Sequence, residues 1–202
     1  MTAACDTLSF PRRLSRAICR AATGKAVLVS LFSFMATAAI ISGRPFGLAR
    51  LQEITGGPTI PDMTFTTGPD SVYAVLAALG DAGLTFYLTH IVPLDLVFPF
   101  TYGLFLALGI SWSLTRLLPE GSPWLILNLA PVLAAAADYC ENAGVITLLL
   151  AYPARMDPVA WLVSAMYVIK FAFSAVSYLT LFAALAGCAA MFLLRRTGRS
   201  PA

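Results

Sequence analysis

The chain has 202 residues, of which 59% are hydrophobic and only 11% are charged, and its formal net charge is +3. Soluble domains contain about 25% charged residues, so this composition excludes an ordinary water-soluble protein and indicates one that lies in a bilayer. The net charge is small and its basic residues are gathered near the two ends of the chain, which argues against nucleic acid binding. We therefore expect an all-α, polytopic membrane protein.

Basic residues flank the apolar part of the chain on both sides. They are Arg12, Arg13, Arg16, Arg20, Lys25, Arg195, Arg196 and Arg199. Cytoplasmic ends of membrane proteins carry such an excess of Arg and Lys. We predict a basic cytoplasmic arm at 1–25, a four-helix transmembrane domain at 26–194 and a basic cytoplasmic tail at 195–202, in the cell (inner) membrane.

The first apolar run, AVLVSLFSFMATAAIIS, covers residues 26–42. At about 1.5 Å per residue it is just long enough to cross the hydrocarbon. A cleaved signal peptide is the alternative, but the run is longer than a usual signal-peptide core. No A-x-A site follows it before Gly43, Arg44 and Pro45. An uncleaved first helix is favoured, although the sequence leaves cleavage open.

Residues 43–83 are rich in Gly and Pro and are predicted to form an extracytoplasmic loop. Within this loop, Asp70 and Ser71 can cap a helix. The apolar residues that follow at helical spacing are Val72, Val75, Leu76 and Leu79. We expect a short amphipathic helix at the outer membrane interface, ending near Gly80 or Gly83.

Three further apolar runs predict spans at about 84–115, 124–152 and 159–194. Pro93 and Pro99 are expected to kink the first of these. The connections between the three spans are short. Four spans of this kind predict an up-down bundle.

Ionisable side chains within spans are costly, so each is a candidate functional residue. The polar residues concerned are His90 and Asp95 in the second span, Asp138, Glu141 and Asn142 in the third, and Lys170 in the fourth. The three on the third span are at i, i+3 and i+4 and share one helical face. Asp95 and Tyr102 share a face of the second span, and Tyr167, Lys170, Ser174 and Ser177 form a polar stripe on the fourth.

Polar faces on three helices avoid lipid only by facing one another. Counting about 1.5 Å per residue from each cytoplasmic end places them in the outer half of the membrane. We predict a pocket there, with Asp95, Asp138 and Glu141 as acid or base groups. The predicted ligand-contacting residues are Tyr102, Asn142, Tyr167, Lys170, Ser174 and His90, with Lys170 as the counter-charge.

A purely structural interpretation stands beside this one. Lys170 can pair with one carboxylate, and Asn142 can bridge two helices, as polar contacts often do in membrane bundles. Three carboxylates against one lysine favour a functional role. His90 can be an interfacial imidazole. A metal site of His90, Asp95, Asp138 and Glu141 has suitable donors, but no HExxH or equivalent spacing supports it, and no cofactor motif is visible.

The strings LDLVFPFTYGLF and DYCENAGVITLLLAYP, followed by a helix with an intramembrane Lys, resemble a recurrent pattern in bacterial four-helix membrane proteins of unassigned activity. A weaker similarity, confined to residues 94–99, is to the second helix of the EXPERA group of sterol-isomerase-like domains. That resemblance implies a lipid or sterol ligand. The acid expected in the first helix of that group is absent here, so its site residues are not carried over.

The sequence thus favours a pocket that binds a membrane lipid or another hydrophobic small molecule, with isomerase-like or hydrolase-like carboxylate chemistry if it is catalytic. Whether the protein is an enzyme is left open. The alternative is a non-enzymatic membrane subunit or assembly factor, whose buried charges serve helix packing in a homo-oligomer or against a membrane-protein partner. A proton-coupled transporter is disfavoured by the small number of spans.

Overall fold

Residues 9–57 and 68–196 are described by the computed structural model, and every regular element in them is helical. The helices are α1 (Phe10–Ala21), α2 (Gly24–Ser42), α3 (Leu48–Thr55), α4 (Pro69–Phe86), α5 (Val92–Leu117), α6 (Ala130–Ala151) and α7 (Asp157–Arg196). A π-helical turn, Tyr87–Ile91, joins α4 to α5, and a 3-10 segment, Pro123–Leu129, precedes α6. Arg199, the start of the predicted arm and part of the predicted outer loop lie outside the described residues.

Four stretches are long and apolar enough to cross a membrane. They are Gly24–Ser42, Pro69–Leu117, Pro123–Ala151 and Asp157–Arg196. This confirms the prediction of an all-helical chain with four candidate membrane-spanning helices. The second stretch begins before residue 84, because α4, the π turn and α5 follow one another without a loop and with one kink, at Gly80.

The helix predicted after Ser71 is the first part of α4, and its helical backbone is interrupted at Gly80, where the prediction placed its end. Gly80 has φ 62° and ψ 175°, a conformation that glycine adopts without a Cβ clash, and helical backbone resumes beyond it. The predicted apolar face, Val72, Val75, Leu76 and Leu79, is buried. These residues pack within the protein, whereas the location of α4 at a membrane interface stays a prediction.

Helix α1 lies within the region predicted from the sequence only as a basic arm. A buried amide, Asn128 of the 3-10 segment, holds it against the bundle. The Asn128 side chain lies 3.0 Å from the Ser15 carbonyl oxygen and 2.9 Å from Ser111 Oγ, and it donates to both. Ser15 Oγ in turn donates to the Leu125 carbonyl at 3.1 Å. The basic stretch is therefore a helix docked through polar contacts.

We expect Asn128→Ala to detach α1 without unfolding the bundle. The change removes buried hydrogen bonds that each contribute about 1 kcal/mol. Hydrogen–deuterium exchange with mass spectrometry should show faster exchange in Phe10–Ala21 and unchanged exchange in α6. Asn142→Ala is the matched control, since it removes a buried amide elsewhere and should leave α1 unaffected. Unchanged exchange of α1 in the Asn128 variant would contradict the proposed anchoring.

Two pairs of helices, α2 with α5 and α6 with α7, are in close contact at particular residues. Between α2 and α5, Thr37 Oγ1 lies 2.8 Å from Thr101 Oγ1, and the rings of Phe34 and Phe105 stack at 5.7 Å between centroids. Between α6 and α7, Gly144 lies against Val163 so closely that an added Cβ would be 2.6 Å from Val163 Cγ2. The absence of a side chain at residue 144 thus allows α6 and α7 to pack tightly.

Candidate functional site

Two apolar clusters form the core, one toward each end of the long helices. The first contains Leu51, Val72, Leu76, Ile91, Val145, Leu148 and Val163, among others. The second contains Tyr102, Leu106, Ile110, Leu114, Ala134, Leu181 and Ala184. On α5, α6 and α7 alike, the residues between these clusters include the ionisable side chains singled out from the sequence. A polar layer therefore separates two apolar cores.

The centre of this layer is a group of four side chains, Tyr102, Asp138, Glu141 and Lys170, which we call the intramembrane polar cluster. Lys170 Nζ lies 2.7 Å from Glu141 Oε2 and 3.4 Å from Asp138 Oδ1. The Tyr102 hydroxyl donates to Asp138 Oδ2 at 3.1 Å. The side chains of Asp138 and Glu141 are only 5% and 2% exposed, so both carboxylates are buried.

The helical repeat explains how one lysine reaches both acids. Asp138 and Glu141 are three residues apart on α6 and project from the same face. Lys170 approaches from α7, and its ammonium also lies 5.6 Å from the centre of the Tyr167 ring, one turn earlier on that helix. Ammonium groups are attracted to aromatic faces at such distances. Tyr167 therefore adds to the environment that holds Lys170 in place.

Asp95 and Asn142 meet through the backbone. A proline at position 99 has no N–H, so it cannot donate the helical hydrogen bond that the Asp95 carbonyl would otherwise accept. The Asn142 side chain donates to that carbonyl at 3.1 Å. One residue further along α5, the Leu96 carbonyl accepts from the Tyr139 hydroxyl at 2.9 Å. Side chains of α6 thus occupy the backbone acceptors beside the proline.

His90 lies apart from the polar cluster. Its ring is stacked on Phe86 at 4.5 Å and on Phe46 at 5.9 Å, and Nδ1 lies 2.8 Å from Thr89 Oγ1. Ser174 is half-buried, one helical turn beyond Lys170 on α7. The structure therefore brings five of the predicted residues together: Tyr102, Asp138, Glu141, Tyr167 and Lys170. Asp95 and Asn142 lie beside one another through a backbone hydrogen bond. His90 belongs to a separate aromatic stack.

The cluster lies near the middle of α6. Regular α-helix begins at Ala130, and at 1.5 Å per residue Asp138 and Glu141 are about 12 and 17 Å along a helix about 33 Å long. The span predicted from the sequence starts at Trp124, which belongs to the 3-10 segment. Counting from the start of the regular helix moves both acids closer to the centre of the span.

The charges of the cluster do not balance when all three groups are ionised. Two carboxylates and one ammonium leave a formal charge of −1 in a buried layer. Buried charges are tolerated only when they are paired and hydrogen-bonded, and here Lys170 and Tyr102 supply those contacts. The arrangement can hold a proton on a carboxyl group or attract a cationic group. In the described part of the chain, no group of three His, Cys, Asp or Glu side chains is placed to hold a metal ion.

Comparison of the chain with protein-family models, with curated proteins and with solved structures found no match. The function is therefore inferred from the chemistry of the polar cluster and its surroundings.

Proposed function

We propose that this chain is a multi-pass protein of the cell (inner) membrane that binds a lipid-like or other hydrophobic small molecule at the intramembrane polar cluster. The observation that carries the proposal is the pairing of Lys170 with two buried carboxylates between two apolar cores. Such a layer offers charge and hydrogen bonds to a polar head group and apolar surface to a hydrocarbon body. Ligand sites commonly combine these two features.

The position of Lys170 supports access from the bilayer. Its side chain is 14% exposed, whereas its two carboxylate partners are almost fully covered. The next residue, Phe171, is 57% exposed on the outer surface of α7. Lys170 thus lies at the boundary between the buried acids and the surface that lipid would cover. A lipid-like molecule approaching sideways would meet the ammonium first.

Carboxylates suit acid–base chemistry better than redox chemistry. Asp95, Asp138 and Glu141 are all buried on facing helices, and a carboxyl group in such a site can accept or deliver a proton. Isomerisation or hydrolysis of the bound molecule is the reaction class that these groups favour. Tyr102 and Asn142 would serve as hydrogen-bonding positioners.

The proposed orientation has both termini in the cytoplasm and an up-down bundle, with the cluster near the middle of α6 and in the outer half of α7. Lys170 is about 20 Å from the Asp157 end of α7 and about 39 Å from the basic Arg196 end. Basic ends favour the cytoplasmic side. The bundle order is supported by contacts that run in opposite directions along paired helices. Asp95 meets Asn142 and Tyr102 meets Asp138, and α6 and α7 pair in the same manner.

The test of this proposal is Asp138→Asn. The amide keeps the volume of the acid and can still accept from Tyr102, but it removes the charge and the proton-transfer capacity. Lipid and metabolite mass spectrometry of the purified protein should show a specific co-purifying molecule that the variant loses at least tenfold, with the yield of folded protein unchanged. Asp81→Asn, which alters an exposed acid, is the control and should retain the molecule.

A second candidate is a non-enzymatic subunit or assembly factor in which the cluster serves helix packing. The close approach of α6 and α7 at Gly144 favours it, because the cluster lies along the same interface. Under this hypothesis Asp138→Asn lowers the yield of folded protein or the recovery of a partner, and no small molecule depends on the residue. The two outcomes of the same experiment therefore separate the candidates.

A further inference from the structure

A groove of about 900 Å³ lies at the other end of the bundle, between α1 and the turn that joins α5 to the 3-10 segment. It is remote from the intramembrane polar cluster, because Thr115, its lining residue on α5, is about 20 Å of helix beyond Tyr102. The residues that line it are Arg12, Ser15, Arg16, Cys19, Arg20, Thr115, Leu118, Pro119, Glu120, Gly121, Ser122, Pro123, Leu125 and Ile126.

One wall of the groove is basic. Arg12, Arg16 and Arg20 follow one another at intervals of four residues, so they project from one face of α1. Their side chains are exposed. The guanidinium group presents several donors in a planar fork that matches the oxygens of a phosphate group. Among the residues lining the groove, Glu120 alone is acidic, so the wall retains an excess of positive charge.

Apolar side chains also line the groove, from the end of α5 and the 3-10 segment. They are Leu118, Leu125 and Ile126. Trp124, adjacent to these residues in sequence, is 64% exposed, and exposed Trp is enriched where protein meets the headgroup region. Helix α1 ends only three residues before α2 begins, so it cannot lie far from the end of that span. We therefore expect the groove to lie at the depth of the lipid headgroups.

Helix α1, which carries the basic wall, is bound to the rest of the bundle by hydrogen bonds. The Asn128 amide donates to the Ser15 carbonyl and to Ser111 Oγ, and it lies 3.5 Å from Cys19 Sγ. These contacts fix the orientation of α1 against α5 and the 3-10 segment. A site with a fixed geometry loses less entropy on binding than a flexible basic tail does.

From these observations we infer that the groove between α1 and the α5 turn binds an anionic phospholipid. The phosphate-bearing headgroup contacts Arg12, Arg16 and Arg20, and the acyl chains lie along Leu118, Leu125 and Ile126. This inference does not depend on the function of the intramembrane polar cluster. With the proposed cytoplasmic location of the N-terminus, it gives the protein a second site, at the inner leaflet.

The test is native mass spectrometry of the full-length protein in detergent, titrated with phosphatidylglycerol. Arg12→Gln/Arg20→Gln should weaken binding about thirtyfold, because each Arg near an anionic lipid surface contributes roughly a factor of five. Arg13→Gln/Arg195→Gln removes the same charge from exposed positions outside the groove lining and should leave the affinity within twofold of the unaltered protein. Phosphatidylcholine should bind at least tenfold more weakly than phosphatidylglycerol.

Ile126→Glu provides a second variant if the double Arg variant fails to fold. Ile126 is 43% exposed, so an acid is tolerated there, and its charge should repel the headgroup. Equal losses in the two double variants would overturn the inference, since binding would then follow net charge alone. Displacement of the lipid by millimolar inorganic phosphate would also overturn it, because the ligand would then be free phosphate. Unchanged binding in both Arg12→Gln/Arg20→Gln and Ile126→Glu would exclude the groove as the site.

Discussion

Replacing Lys170 with Met is expected to lower the free energy of unfolding by about 3–5 kcal/mol, the usual cost of removing one partner from a buried ion pair. Methionine fills a similar volume without the ammonium group. Asp138 and Glu141 then remain buried, three residues apart on α6, without the cation that lies between them. Unfolding in detergent with increasing SDS, followed by circular dichroism, measures the change.

The chain offers a matched control in Lys25, an exposed lysine near the start of α2. Lys25→Met should leave the free energy of unfolding within about 0.5 kcal/mol of the unaltered protein. Adding Asp138→Asn and Glu141→Gln to Lys170→Met should restore most of the lost stability, because no buried charge is then left in the cluster. If Lys170→Met proves as stable as Lys25→Met, the pairing of Lys170 with the two acids is wrong.

Gly144→Ala is expected to destabilise the protein by about 1–3 kcal/mol through overpacking. A Cβ at position 144 would lie 2.6 Å from Val163 Cγ2 and 3.8 Å from Val159 Cγ1, so α6 and α7 would have to move apart. This shift would also lengthen the contacts between Lys170 and the two acids. The same SDS unfolding measurement reports the loss.

A second substitution can relieve the clash. Val163→Ala removes Cγ2, so Gly144→Ala/Val163→Ala should be more stable than the sum of the two single changes predicts. Gly57→Ala serves as the control, because a Cβ added there meets nothing within 4 Å. Additive effects of the two changes at 144 and 163 would show that α6 and α7 are not in close contact at this point.

The four candidate spans could be predicted from the sequence because hydrophobic runs of this length are rare in water-soluble domains. The ionisable residues could be found for a related reason. Charges are so costly in hydrocarbon that Asp138, Glu141 and Lys170 stand out in their apolar surroundings, and the spacing on α6 indicates a shared face. Lys170 could be identified as the counter-charge because it is the only Lys or Arg in the four spans predicted from the sequence.

Other features were missed or were only partly indicated by the sequence. The helix in the basic arm was not predicted, although Pro11 in its first turn and the one-turn spacing of Leu14 and Ile18 indicate a helix. Its contact with Asn128, which is distant in sequence, had no local signal. Gly80 does interrupt the helix, as the glycine indicated, but helical backbone resumes directly beyond it and continues past Gly83. The link between Asn142 and Asp95 could have been anticipated from Pro99, which leaves the Asp95 carbonyl without its helical donor.

The ion pairs between α6 and α7 have a consequence for the insertion of these helices into the membrane during biosynthesis. A lone α6 would carry two acids into the bilayer, and a lone α7 would carry one ammonium. Each of these charged side chains costs about 3 kcal/mol on translocon scales. Only residues 152–156 separate the two helices. Entry of α6 and α7 as one hairpin would let Lys170 pair with Asp138 and Glu141 before either helix meets hydrocarbon alone. We therefore expect the short turn to couple the insertion of the two segments.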